Sequence, residues 1–324
     1  MKLLKMFLLL CLLLVSGCGS QPAAHQDAHQ DAAITLQDVR GKTVTLPRNP
    51  QRILTDSLHL DETLLTLVAA DHLAGAYYLD GEPGISYIAK ETAEVEPKLR
   101  DYTPETVAAV KPDLFLASTW SDPGLLQKLE ALGIPVVVCH GPTDLEQIRD
   151  NVELMAKAVG KPATGKKVLA RFDRQLEDIR KTMQQQSGPQ PTGMLVSLMS
   201  RYGGSGSLYD VVCREAGIRN GLAAAGLKNG QALTREAVLQ TDPDFFLVSL
   251  PYGEEKEAYD KFSDQFFSDP VFQGLKGLEH RVALPDRYVY DASPMVVYGI
   301  KALANGAYGK KLFDLSDESL LKGY

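Results

Sequence analysis

The feature that most constrains this chain is an internal repeat. Thr103-Pro-Glu-Thr-Val-Ala-Ala-Val-Lys-Pro-Asp-Leu-Phe-Leu-Ala-Ser118 recurs as Thr234-Arg-Glu-Ala-Val-Leu-Gln-Thr-Asp-Pro-Asp-Phe-Phe-Leu-Val-Ser249, with eight of sixteen positions identical. Each copy reads as a threonine N-cap, a short helix, a Pro-Asp break and an apolar strand. A second matched pair follows. Asp122-Pro123, an apolar helix and Pro135–Cys139 mirror Asp269-Pro270, an apolar helix and Arg281–Pro285. Two units repeated in the same order, more than 100 residues apart, predict two lobes of like design rather than a solenoid. A length of 324 residues suits two cores.

Apolar runs alternating with helical patterns predict an α/β fold with parallel sheets buried on both faces. The first-lobe strands are expected at Arg52–Thr55, Leu73–Tyr77, Leu114–Ser118 and Pro135–Cys139, the second-lobe strands at Met194–Met199, Phe245–Ser249 and Val282–Leu284. Between them Val168, Phe172, Leu176, Ile179 and Met183 form one helical stripe that runs from Pro162 to Ser187-Gly188-Pro189. About 22 residues at 1.5 Å each reach roughly 33 Å, enough to join two lobes. The expected organisation is a first lobe at 34–160, an interlobe helix at 161–187 and a second lobe at 188–324, with the ligand cleft between the lobes.

The N-terminus reads as an address. Lys2 and Lys5 precede ten unbroken apolar residues, Met6 to Val15, too few to span a bilayer. Val15-Ser16-Gly17-Cys18 looks like a bacterial lipobox, so 1–17 is expected to be a lipoprotein signal peptide and Cys18 the lipidated, palmitate-bearing residue. Residues 18–33, with Ala-His-Gln-Asp twice, read as a polar tether; His25 and His29 fit a spacer better than a metal site. Without Lys2 and Lys5, 32 basic residues face 41 acidic ones, a net −9 that argues against nucleic acid as a partner. Four cysteines are too few for a disulfide scaffold, and Cys139 and Cys213 are expected in different lobes and unpaired.

The lipobox, Thr35–Pro47, Pro50-Gln-Arg-Ile53, Val110-Lys-Pro-Asp113 and the long helix together resemble one family. It is the helical-backbone (class III) substrate-binding lipoproteins of bacterial ABC importers for iron–siderophores, haem and cobalamin. The resemblance covers nearly all of the chain after Cys18. It implies two Rossmann-like lobes, a ligand held between them with small hinge motion, a monomer held at the membrane by its lipid alone, and docking onto a permease powered by a separate ATPase. It implies no resident cofactor; iron or cobalt would arrive in the ligand. It further implies one acid per lobe that pairs with permease arginines. On position these are Glu62 in Ser57-Leu-His-Leu-Asp-Glu62 and Glu215 before Ala216-Gly-Ile-Arg-Asn220, where Arg214 takes the more usual place.

Ligands of open α/β sheets bind at the carboxyl ends of the strands. The residues there are Ser57, His59, Tyr77, Tyr78, Trp120, His140, Arg201, Tyr202, Tyr252, Arg287, Tyr288 and Tyr290. Large aromatics with a few fixed polar groups suit a bulky, partly apolar ligand, and Arg201 and Arg287 suit its anionic groups. An iron–siderophore chelate is therefore favoured over cobalamin or haem, for which His59 or His140 would offer a ligand to iron. The competing class is a tethered extracytoplasmic enzyme, but the chain carries no H-E-x-x-H, G-x-S-x-G or C-x-x-C.

Overall fold

The computed structural model describes residues 33–46, 48–250, 255–316 and 318–324. Cys18, Tyr252, His25 and His29 lie outside the described residues, as do the signal peptide and nearly all of the tether. The chain enters through a hairpin, β1 (Ile34–Gln37) and β2 (Thr43–Leu46), closed by Gly41 at φ +78°. Next come β3 (Ile53–Thr55), α1 (Leu58–Leu64), β4 (Ala76–Tyr77) and β5 (Lys98–Leu99). The first repeat copy forms α2 (Pro104–Ala109) and β6 (Leu114–Ser118), followed by α3 (Pro123–Ala131), β7 (Val136–Cys139) and α4 (Leu145–Ala158). After α5 (Pro162–Gln184) come β8 (Thr192–Val196), α6 (Leu208–Glu215), β9 (Arg219–Asn220) and α7 (Gly221–Ala224). The second copy forms α8 (Arg235–Thr241) and β10 (Phe245–Leu250); α9 (Glu255–Phe267), β11 (Arg281–Pro285) and α10 (Val296–Tyr308) complete the chain.

The result is two parallel sheets, ordered β3-β6-β7 and β11-β10-β8-β9. The two repeat copies are built alike. Thr103 and Thr234 each cap their helix by accepting the amide of the third residue on, at 3.2 Å in both. Lys111 and Asp242, each just before the proline, both take positive φ (50° and 42°). The aspartate of each Pro-Asp then clamps the start of a neighbouring strand. Asp113 accepts the Gln51 and Arg52 amides at 2.9 and 2.8 Å before β3, and Asp244 accepts Thr192 N at 2.8 Å at β8. The hairpin turn covers the edge of β7, where Val39 N donates to Val138 O at 3.1 Å.

The helix α5 buries Val168, Phe172, Leu176 and Ile179, four of the five residues of the expected stripe, and packs on α4 at one end and on α6 and α10 at the other. Gly165 permits the α4 crossing, since a Cβ there would lie 2.5 Å from the Ala156 Cβ. Gly165→Ala is therefore expected to lower the unfolding free energy by about 1–3 kcal/mol, measured by urea denaturation.

Three boundaries differ from expectation. Leu73 makes only a single bridge to Ile53 before β4 pairs with β5, so the expected strand at 73–77 is short and broken. The strand β8 stops at Val196 rather than Met199 because Ser197 Oγ accepts Met199 N at 2.9 Å and turns the chain. The last residues, expected in the second lobe, return to the first. There Gly323 N donates to Thr66 O at 2.9 Å and Leu320 and Leu321 are buried.

Candidate functional site

The segments leaving β4 and β11 touch. Arg287 N donates to Gly84 O at 3.0 Å, and Tyr87 packs on Tyr298 and Tyr288 with ring centroids 5.7 and 6.4 Å apart. The two lobes therefore meet through the segments that leave β4 and β11, and the residues just beyond the strands of each sheet are the candidate lining of the interlobe cleft.

On the first lobe the turn after β6 presents Trp120, 60% exposed, edge-on to His59 at 5.0 Å. The indole lies over Gly141, where a Cβ would come within 2.2 Å of the ring. His59, on the first turn of α1, is buried with no hydrogen-bond partner at Nε2 among the described residues. Burial pushes its imidazole down to about 4, so the ring is neutral at physiological pH. Tyr77 and Tyr78 pack at 4.8 Å, and the Arg100 guanidinium stands 4.6 Å over the Tyr78 ring. Burial raises the Tyr77 hydroxyl pKa. Beneath it, Tyr77 N donates at 3.1 Å to both Asp61 and Asp80, buried carboxyls raised by desolvation.

On the second lobe Tyr202 packs on Tyr290 at 5.5 Å. The Tyr290 hydroxyl donates to Ser249 Oγ at 3.1 Å and also meets Ser197 Oγ, which ties it to the ends of β10 and β8. Arg201 is exposed at the tip of the loop after β8, where Nη1 donates to Gly230 O at 3.2 Å. His59, Tyr77, Tyr78, Trp120, Arg201 and Tyr202 thus stand at the expected strand ends. Arg100 escaped the sequence reading because β5, two residues long, has no apolar run to announce it.

Four expectations are corrected. Glu62 is 1% exposed, not a surface acid. Its Oε1 accepts Tyr87 N at 2.9 Å, and it pairs with the buried Asp291 across the lobes. Glu215 is bound in a fork by Arg180, whose Nε and Nη2 donate at 2.7 and 2.9 Å; it closes the far end of α6. Arg287 is occupied within the fold, with Nη1 donating to Pro83 O at 2.7 Å and Nη2 3.5 Å from Glu318. The Tyr288 hydroxyl also donates to Glu318, so both side chains serve a clasp between lobes. His140, whose backbone meets the His59 ring, turns its own Nε2 toward Asp150 at 3.7 Å. Cys139 and Cys213 are buried free thiols, and burial pushes Cys213 up to about 12. Among the described residues no group of three His, Cys, Asp or Glu side chains could hold a metal ion, and no helix is long and apolar enough to cross a membrane.

The model of the periplasmic binding protein family matches residues 77–284, more than half of the chain. The chain belongs to the periplasmic binding protein family. It is 21% identical over 287 residues to a probable siderophore-binding lipoprotein, YfiY, of Bacillus subtilis (strain 168), spanning 84% of this chain and 86% of the relative. A vitamin B12-binding protein of Vibrio campbellii is 31% identical over 134 residues, 40% of this chain and 46% of its own length. The fold is shared with the periplasmic heme-binding protein RhuT of Roseiflexus sp. RS-1. The TM-score is 0.69 at 20% identity, over 80% of this chain and 98% of that one. The binding protein described here therefore shares the two-lobed α/β fold of that neighbour.

Proposed function

We propose that this periplasmic binding protein captures an iron–siderophore-type chelate in the interlobe cleft and delivers it to an ABC permease, tethered outside the cytoplasm through lipidated Cys18. The observation that carries this reading is the paired aromatic lining, His59–Trp120 and Tyr77–Tyr78 on one lobe and Tyr202–Tyr290 on the other. Flat rings on both walls suit a large, partly apolar cargo. Arg100 and Arg201, one per lobe beside those rings, suit a cargo with anionic groups around its metal. A neutral imidazole in contact with Trp120 favours haem as the second reading.

Trp120 is the single tryptophan, so its fluorescence reports the cleft alone. Titration with a ferric siderophore is expected to change its emission at one equivalent, and the response is expected to vanish in Trp120→Phe while calorimetric binding persists. A Soret band that responds to haem, with no response to ferric siderophores, would assign the cleft to haem instead. Calorimetric binding of either cargo without any change in emission would remove Trp120 from the site.

Docking needs an exposed acid on each lobe, and the repeat supplies a matched pair. Glu105 and Glu236 occupy the same position in the two copies, both exposed in the first turn of α2 and α8. A helix that leads into a parallel strand runs antiparallel to it, so its N-terminus lies at the sheet edge where the strands end. Glu105 and Glu236 therefore flank the cleft mouth, one per lobe, and we assign permease docking to them in place of Glu62 and Glu215.

A further inference from the structure

A half-open cavity of about 270 Å³ lies in the second lobe, walled by Leu195, Leu222, Leu227, Leu233, Phe262 and Phe266. Its position ties it to the cleft. The wall includes Ser197, Met199 and Tyr202, which follow β8 into the loop that carries Arg201, and Met199 stands 55% exposed at the lip. The two charged groups of its rim are engaged with each other. Arg235 Nε and Nη2 both reach Asp269 Oδ2 at 2.6 Å. Thr234 Oγ1 accepts Ala237 N in the helix cap, Gln231 Oε1 accepts Lys228 N at 2.7 Å, and Ser197 Oγ is held by Met199 N and Tyr290. No charge is left aimed into the interior, and Phe266 meets Phe272 at 4.9 Å as part of the wall.

We propose that this cavity is a binding subsite for a neutral apolar group, an aromatic ring system or short alkyl chain of roughly ten heavy atoms. The size follows from the volume: a dry cavity of about 150 Å³ lined by Leu, Ile and Phe holds benzene, so one nearly twice as large takes a bicyclic ring. The neutrality follows from the paired charges of the rim, since an ionised group inside would find no free counter-ion. The apolar group is either a substituent of the cleft-bound cargo or a separate small molecule. Only the first source rests on the cargo reading above.

The test uses naphthalene, neutral and of that size, with the mature protein. Saturable binding of one equivalent is expected by titration of naphthalene emission, at least tenfold weaker in the cavity-filling variants Leu233→Trp and Leu227→Phe. Circular dichroism and thermal melting check that each variant is folded, and whichever folds decides. Two ferric chelates with the same iron-binding groups, one carrying a naphthyl substituent, separate the sources. If the cargo supplies the group, the substituted chelate binds at least tenfold tighter than its parent, the gain disappears in the filled variant, and naphthalene competes with it. If a separate molecule supplies it, naphthalene binds equally with or without either chelate. Both outcomes place an apolar subsite here, and the naphthalene arm stands even if no ferric chelate binds. Absent saturation in the wild type, or unchanged affinity in a folded filled variant, overturns the proposal.

Discussion

Replacing Glu105 and Glu236 together by lysine is expected to abolish most cargo import while leaving cargo affinity unchanged. Both carboxylates are exposed and stand on short helices, so neither substitution opens a cavity or strands a buried partner. In solution such exposed charges contribute little to stability. At a docked interface they meet cations away from water, and reversing them sets like charges against each other, with a penalty of several kcal/mol. Uptake by cells carrying the double variant should fall at least about tenfold, since each 1.4 kcal/mol is a factor of ten. The single variants should fall less, and calorimetric affinity for the cargo should not move. Normal uptake by the double variant would remove both acids from the docking surface. Lost cargo affinity would place them in the cleft instead.

The second large effect is on stability, and it has an unusual sign. Glu62 and Asp291 form a carboxyl pair between the lobes, sealed under Tyr87. Burial and the neighbouring Asp291 hold Glu62 well above the ordinary carboxylate range, and burial pushes Asp291 up to about 6. A carboxyl whose folded pKa is raised stabilises the fold fully below its unfolded value of about 4 and loses that contribution as pH rises through the folded value. The pair should therefore weaken the fold as pH rises from about 4 through about 6, where Asp291 ionises, and Glu62 extends that loss to higher pH. Glu62→Gln keeps the acceptor for Tyr87 N and gives Asp291 a permanent donor in place of the shared proton. It is expected to match the wild type at pH 4.5 and to exceed it at pH 7.5, the gap widening as pH rises, in urea melts. Glu62→Ala, which leaves Tyr87 N and Asp291 without their partner, should be less stable by about 1–3 kcal/mol at both pH values. An unchanged pH slope in Glu62→Gln would mean that the pair does not share a proton.

Much of the architecture was legible because it is written locally. The Pro-Asp breaks, threonine caps and apolar runs of β6 and β10 depend on neighbours within a few residues, and the stripe of α5 depends on spacing alone. The positions of the rings of Tyr77, Tyr78, Trp120 and Tyr202 at the strand ends were legible for a related reason: a residue just past a buried strand has only the sheet edge to occupy. Charged residues were misjudged. Glu62, Glu215 and Arg287 were read as free surface or cleft charges, yet each is held by a partner from another part of the chain: Asp291, Arg180, and Pro83 with Glu318. Arg100 was missed because the strand that places it is two residues long.

Two matched α/β units, the stiff helix between them and the rings at the strand ends can all be read from residue order, because helix period, strand period and capping act over short stretches of chain. Which charges are held inside the fold depends on how the distant segments pack. That packing turned Glu62 into half of an interlobe acid pair and left a half-open apolar cavity in the second lobe. A charge at a given position looks the same in sequence whether it faces water or a partner a hundred residues away; burial and pairing exist only once the lobes have closed on each other.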